Sequence, residues 1–168
     1  MNSGHSMMSV AAMLLLSITI LGVNGKFLRT SDVLNDTKFG VLAVSLGTSV
    51  IEEASGKAFD LAVSGDAITD INLLTAPGSL GAANGEVYPN FNDFDDFNNF
   101  TKIVTKMPSA DTFKIACKVR YVTDGNPALV SNVRTWHKRI DVSVYSNNMF
   151  KAEDTIRLSS VYSYWYFR

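Results

Sequence analysis

Cysteine and histidine are almost missing from this chain. Cys117 stands alone, and His5 and His137 are the only imidazoles among 168 residues. One cysteine excludes an intrachain disulfide and any multi-cysteine metal site, and its place in an alternating apolar pattern reads as a small buried residue. Two isolated histidines make no zinc-ligand spacing, and the sequence holds neither a nucleophile elbow nor a phosphate loop, so no enzymatic chemistry is expected. His137, between Trp136 and Lys138, reads as a surface strand residue. Charge is scarce too: Asp, Glu, Lys and Arg make up 18% of the residues and the net charge is −1. That balance leaves no long-range field to gather nucleic acid or an acidic partner. No proline precedes Pro77, so no pyrrolidine ring stands in the way of a long N-terminal helix.

What the N-terminus has instead is a stretch of 59 residues in two halves. Residues 7–23 form an uncharged apolar run of 17 residues, at the short edge of what spans a bilayer as a helix. A secretory signal is the competing reading, because Val23-Asn24-Gly25 has the small-residue character of a cleavage site. Against it, residues 1–6 contain no lysine or arginine, whereas a signal n-region is positive. Lys26 and Arg29 follow the run and by the positive-inside rule favour an N-out orientation. Gly22, Asn24 and Gly25 are poor helix formers, by up to about 1 kcal/mol each relative to alanine, and mark a flexible point where the helix is expected to loosen.

From Phe27 the apolar residues fall at helical spacing. Phe27, Leu34, Val41, Val44 and Ile51 make one ridge, and Phe39, Leu42, Leu46, Val50 and Ala54 its neighbour. Asp32, Asp36, Lys38, Glu52, Glu53 and Lys57 fall largely off that face, so this half can pack on a sheet and stay wet behind. A helix through residues 1–59 would approach roughly 90 Å.

Residues 60–100 read as a connecting loop punctuated by glycine and proline, with a short strand or turn near Ile68. Inside it, Phe91, Phe94, Phe97 and Phe100 recur every third residue, a spacing that lines one side of a tight helical turn and anchors the loop, with the Asp and Asn residues facing outward or capping it. The oxygens of Asp93, Asp95, Asp96 and Asn98 also describe an alternative, a calcium site, since hard cations take six to eight oxygen ligands. No EF-hand spacing accompanies them.

The period then changes to two. Phe113, Ile115, Cys117, Val119 and Tyr121 alternate against Lys114, Lys118 and Arg120. Asp124-Gly125-Asn126-Pro127 reads as a turn, and Trp136, Ile140, Val142 and Val144 alternate against His137, Arg139, Asp141 and Ser143. Ser146-Asn147-Asn148 is a further turn. A last strand over 155–167 places Ile156, Leu158, Tyr162, Tyr164 and Tyr166 on one side and Val161, Trp165 and Phe167 on the other. With an earlier strand over 102–107, the expected architecture is α+β: a long N-terminal helix packed on a four-stranded antiparallel sheet. The expected divisions are 1–25 as apolar helix, 26–59 as amphipathic helix, 60–100 as loop and 101–168 as sheet, with 26–168 forming one globular domain.

That order of elements resembles a type IV pilin or pseudopilin. Two short motifs carry the likeness in residues. Gly4-His5-Ser6-Met7-Met8 followed by the apolar run is similar to the family's Gly-Phe-Thr-Leu-Ile entry, and Phe94-Asp95-Asp96-Phe97-Asn98-Asn99-Phe100 is similar to an acidic-aromatic loop segment of some minor pilins. The resemblance implies processing between Gly4 and His5, with methylation of the new terminus. It also implies a filament core of Met7, Met8, Val10, Met13, Leu14, Leu15, Leu16, Ile18, Ile20 and Leu21, and self-assembly into a helical homopolymer by inner-membrane pilus or type II secretion machinery. The subunit would wait in the inner membrane of a bacterium and end in a cell-surface filament. Ser9 stands where major pilins carry a glutamate, Met-Asn-Ser stands where they carry a basic leader, and Cys117 has no partner for their C-terminal disulfide. Dense aromatic packing by Tyr162, Tyr164, Trp165, Tyr166 and Phe167 is expected to take that disulfide's place.

The alternative is a membrane-anchored or secreted β-rich binding module, with DNA or surface adhesion as its ligand role. Lys114, Lys118, Arg120, Arg134, His137, Lys138 and Arg139 beside Trp136 form a local basic patch. It reads as a solvated face or a subunit contact opposite Asp93, Asp95 and Asp96, with no nucleic-acid partner expected.

Overall fold

The computed structural model of the chain describes residues 3–63, 65, 67–105, 112–146 and 155–167, with Tyr166 and Phe167 described by backbone only. One α-helix, α1, runs Ser3–Ser55. Short 3-10 turns at Leu61–Val63, Ile71–Leu73, Pro77–Ser79 and Asp95–Phe97 punctuate the connecting loop. Five strands follow: β1 (Thr101–Val104), β2 (Phe113–Thr123), β3 (Asn126–Val130), β4 (His137–Ser146) and β5 (Ile156–Ser163), with a final 3-10 turn at Tyr164–Phe167. All pairings between these strands are antiparallel, in the order β1-β2-β4-β5, with β3 paired to β2 off that path.

The α+β class is therefore as expected, but the sheet has five strands where four were counted. Asp124-Gly125 alone makes the turn, and the chain returns immediately, pairing Asn126 with Thr123 and Val130 with Val122. Pro127 is tolerated there because β3 is an exposed edge strand whose missing N–H breaks no ladder. Lys106 and Met107, expected at the end of the first strand, and the Asn147-Asn148 turn lie outside the described residues, as do the side chains of Tyr166 and Phe167.

The chain divides between Lys38 and Phe39 into two units. In the first, every residue from 3 to 35 is exposed. α1 is unbroken through Gly22, Asn24 and Gly25, where loosening was expected. Two glycines cost about 1 kcal/mol each, and good helix formers on either side let propagation carry across them. Hydroxyls along this stretch fold back on the helix itself: Ser9 donates to the His5 carbonyl at 3.0 Å, Ser17 to Met13 at 2.8 Å and Thr19 to Leu15 at 3.0 Å. These side chains thus carry their hydrogen bonds into any apolar surroundings.

In the second unit one face of the sheet is dry. Phe113, Ile115, Cys117, Val119 and Tyr121 of β2 and Ile140, Val142 and Val144 of β4 are buried there. The end of α1 packs on that face through Ala43, Gly47, Val50 and Ala54, spaced four, three and four residues apart. Phe39, Leu42, Leu46 and Ile51 flank the contact, and the Phe39 ring lies 6.3 Å from that of Phe113. Of the two ridges read from the sequence, the second is the one that packs, while Val41 and Val44 stay exposed. Small residues decide this: a Cβ on Gly47 would meet Leu158 Cδ1 at 2.7 Å, so the helix lies against the sheet where it has least side chain.

The helix stops at Ser55, short of the expected Phe59, as Gly56 ends the run of good formers. β5 places Ile156, Leu158 and Tyr162 on its inner side as expected, but it ends at Ser163. Beyond it Tyr164 stacks on Trp136 at 5.1 Å and donates its N–H to the Trp136 carbonyl at 3.0 Å, a bond that draws the chain into a turn.

Candidate functional site

Two places concentrate what the sequence singled out. The first is the apolar part of α1. Met7, Met8, Val10, Met13, Leu14, Leu15, Leu16, Ile18, Ile20 and Leu21 are each more than half exposed. By length and composition this helix is sufficient to cross a membrane, a property that signal sequences share. Gly4 and His5 lie in its first turns.

The second is a buried charge centre. Lys138 belongs to β4, two residues before Ile140, so the alternation of the strand turns it onto the dry face, opposite Tyr121 of β2. Its side chain is 0% exposed. The ammonium donates to three oxygens: the Phe59 carbonyl at 2.8 Å, Asp60 Oδ2 at 2.8 Å and Asp95 Oδ1 at 2.5 Å. All three of its protons are thereby used, which is what allows a lysine to sit in a core at all. The rings of Phe59 and Tyr121 lie 4.6 and 5.3 Å from it.

The chain delivers the two carboxylates differently. Asp60 follows the end of α1 and accepts from the Thr75 N–H at 2.9 Å, the Thr75 hydroxyl at 3.0 Å and the Ala62 N–H at 3.2 Å. Burial alone would raise its pKa, but the Lys138 charge and these donors outweigh it and hold the carboxyl below its usual value. Asp95 arrives on the phenylalanine-rich turn. Phe94 and Phe97 are fully buried, Phe91 packs edge-on against Phe97 at 5.1 Å, and Phe94 reaches the Tyr162 ring at 5.0 Å. The turn is zipped to the segment after α1 by Phe94 N–H on the Ala58 carbonyl at 2.9 Å.

The rings anchor the loop as expected, and of the two expectations for the acids, facing outward or capping the turn, Asp93 and Asp96 follow the second. All three are buried, because the core contains an ammonium and free backbone N–H groups for them. Asp93 Oδ1 accepts the N–H groups of Asp95 at 2.9 Å and Asp96 at 3.2 Å, and Asp96 Oδ2 those of Asn92 at 2.9 Å and Asp93 at 3.2 Å. Burial, with the charges of Asp95 and Asp96 close by, pushes the Asp93 carboxyl up to about 8 and favours its protonated form, which shares a hydrogen bond with Asp95. Asn98 bonds instead to the Leu80 carbonyl at 2.8 Å and to the Val119 N–H at 3.1 Å. Among the described residues no group of three or more His, Cys, Asp or Glu side chains is placed to hold a metal.

The basic patch read from the sequence is divided by the sheet. Lys118, Arg120 and Arg139 lie on the wet face, joined by Arg157 around a concavity of about 440 Å3. Arg120 and Arg139 both pair with Asp141 there. Lys138 is on the opposite, dry face, and Arg134 donates to the Leu74 carbonyl at 2.6 Å. His137 faces Ser163 at 2.6 Å and Asp124 at 3.6 Å. Burial pushes the Cys117 thiol up to about 12, so it packs as a neutral apolar group.

Sequence reasoning missed Lys138, Asp60 and Tyr121 as a unit. One signal was present: Lys138 occupies the same parity as Trp136, Ile140 and Val142, so a charged residue stood in the apolar register. Asp60 gave no such sign. Comparison with family models, with curated proteins and with solved structures finds no match to this chain.

Proposed function

We propose that the chain is a structural subunit of an extracellular helical filament of the type IV pilin or pseudopilin kind, polymerising through the apolar part of α1. One observation carries this reading. A single unbroken helix exposes ten large apolar side chains between Met7 and Leu21, and its later part packs on an antiparallel sheet, an arrangement compatible with a pilin. Such a stretch needs an apolar environment twice: a bilayer before assembly and the same stretch of neighbouring subunits after it. Burial at ~25 cal/mol per Å2 amounts to tens of kcal/mol gross per subunit, much of it exchanged from lipid, so assembly is feasible without being forced. A heterologous contact that does not close yields a helical polymer.

In this reading Gly4 and His5 flank a processing site, the assembly machinery of a pilus or type II secretion system is the partner, and no external substrate is turned over. Electron microscopy of native material is the test. Filaments containing this chain are expected; a soluble monomer in native material overturns the reading.

A further inference from the structure

We propose that Lys138 and Asp95 condense to an intramolecular amide, an isopeptide cross-link between β4 and the phenylalanine-rich turn. The inference stands whether or not the chain polymerises. An amine nucleophile and a carboxyl electrophile are held in contact, Nζ to Oδ1 at 2.5 Å, with both side chains all but sealed from solvent. An Nζ that close to a carboxyl oxygen is within about 3–3.5 Å of the carboxyl carbon, the separation of a near-attack arrangement. Because the partners are fixed by the fold, no encounter is needed. The amide would replace the Lys138–Asp95 ion pair, and Asp60 would remain held by the Thr75 and Ala62 donors.

The ion pair itself supplies the protons. The ammonium passes one proton to Asp95 Oδ1 along their 2.5 Å hydrogen bond, leaving a neutral amine and a neutral carboxyl, while Asp60, fixed by Thr75 and Ala62 and 2.8 Å from Nζ, keeps the nitrogen in place. Asp93, hydrogen-bonded to Asp95, polarises the carboxyl for attack. The neutral amine adds to the Asp95 carboxyl carbon, the Nζ–Cγ bond forms, and one Cγ–O bond breaks. That oxygen leaves as water carrying two of the ammonium's three protons, with Asp60 and Asp93 ending in the protonation states in which they began. No oxidant or cofactor enters. The water has an exit, since Asp93, Asp95 and Asp96 line one wall of a cleft of about 300 Å3 shared with Thr75, Ser79 and Glu86. Asp60 is the poorer electrophile of the two carboxyls, because its oxygens are pinned as an anion by backbone and hydroxyl donors.

The experiment is peptide mapping by mass spectrometry of the full chain, purified in detergent and then denatured. The digest is read, so that N-terminal processing does not enter. The expected result is one branched peptide joining the segments around residues 95 and 138, lighter than their sum by one water, and its replacement by two separate peptides in Asp95→Ala and Lys138→Arg. Asp60→Asn, which loosens the hold on Nζ, is expected to slow its appearance by about 100-fold. Separate peptides of full mass from the unmodified chain overturn the proposal whatever the variants do. A link to Asp60 in place of Asp95 overturns the assignment, and an unchanged rate in Asp60→Asn overturns the part given to Asp60.

Discussion

Residues 7–23 and residues 39–54 belong to one helix and are both rich in apolar side chains, yet they meet opposite fates. The first stretch exposes its side chains; the second buries Ala43, Val50 and Ala54 and half-buries Phe39, Leu42 and Leu46. The difference lies in residue size and in polar chemistry. The packed half presents alanine and glycine to the sheet and gathers Asp60 and Glu53 near its end to meet Lys138 and Tyr88. The exposed half is large and apolar all round, with its hydroxyls bonded to its own carbonyls. A helix that is hydrophobic on every side is suited to surroundings apolar on every side. One segment is thus built for a core of its own chain; the other is long and apolar enough to cross a membrane, as signal sequences also are.

The largest effect expected from breaking this contrast is at Leu14. Leu14→Lys places a charge in the middle of the apolar run at a cost of about 3 kcal/mol per subunit, and is expected to abolish filaments seen by electron microscopy. The unfolding free energy of the sheet unit should stay within about 0.5 kcal/mol of the unmodified chain. Lys138→Ala should do the reverse. It leaves Asp60 and Asp95 buried and uncompensated, and urea denaturation should show the sheet unit weaker by about 3–5 kcal/mol. Gly47→Leu comes next, at about 1–3 kcal/mol from overpacking against Leu158 and Val144. Gly22→Leu, where a Cβ meets nothing within 4 Å, should leave the same denaturation curve unmoved.

A further effect is a slope with pH. Asp93 is raised to about 8 in the fold from an ordinary value of 3.8, so between those values the folded state holds a proton that the unfolded state has lost. Its contribution is fully present below the ordinary value and is lost as pH rises through 8. Asp60 runs the other way: its lowered carboxyl stabilises above its ordinary value and loses that effect as pH falls through the folded value. Asp93→Asn keeps an oxygen for the two N–H groups and removes the ionisation. It should therefore flatten the decline in thermal midpoint from pH 6 to pH 8.

Much of this contrast was legible in the residues. The change of period from helical to alternating located α1, β2 and β4, and Phe91, Phe94 and Phe97 declared an anchored turn. What the sequence concealed was of two kinds. Small residues carry little hydrophobic signal, so Gly47 and Ala43 did not appear as the packing face although steric room is what chose them. Charged residues were assigned to the wet side by type, and Lys138 shows that position in the alternation outranks type when three oxygens from 59, 60 and 95 are brought to meet it. Those oxygens come from segments distant in sequence, and no local pattern announces their convergence. The edge strand β3 was hidden because Asn126-Pro127 reads as turn chemistry wherever it occurs.

The central claim is that residues 7–23 are retained as a working part of the protein. The most direct test is mass spectrometry of the N-terminus of native, mature material. The account predicts a first residue at His5, with a methylated amine, or an intact Met1, in either case with the apolar run still attached. A mature chain beginning at Lys26 would contradict it, because the stretch assigned to polymerisation would then have been removed as a signal.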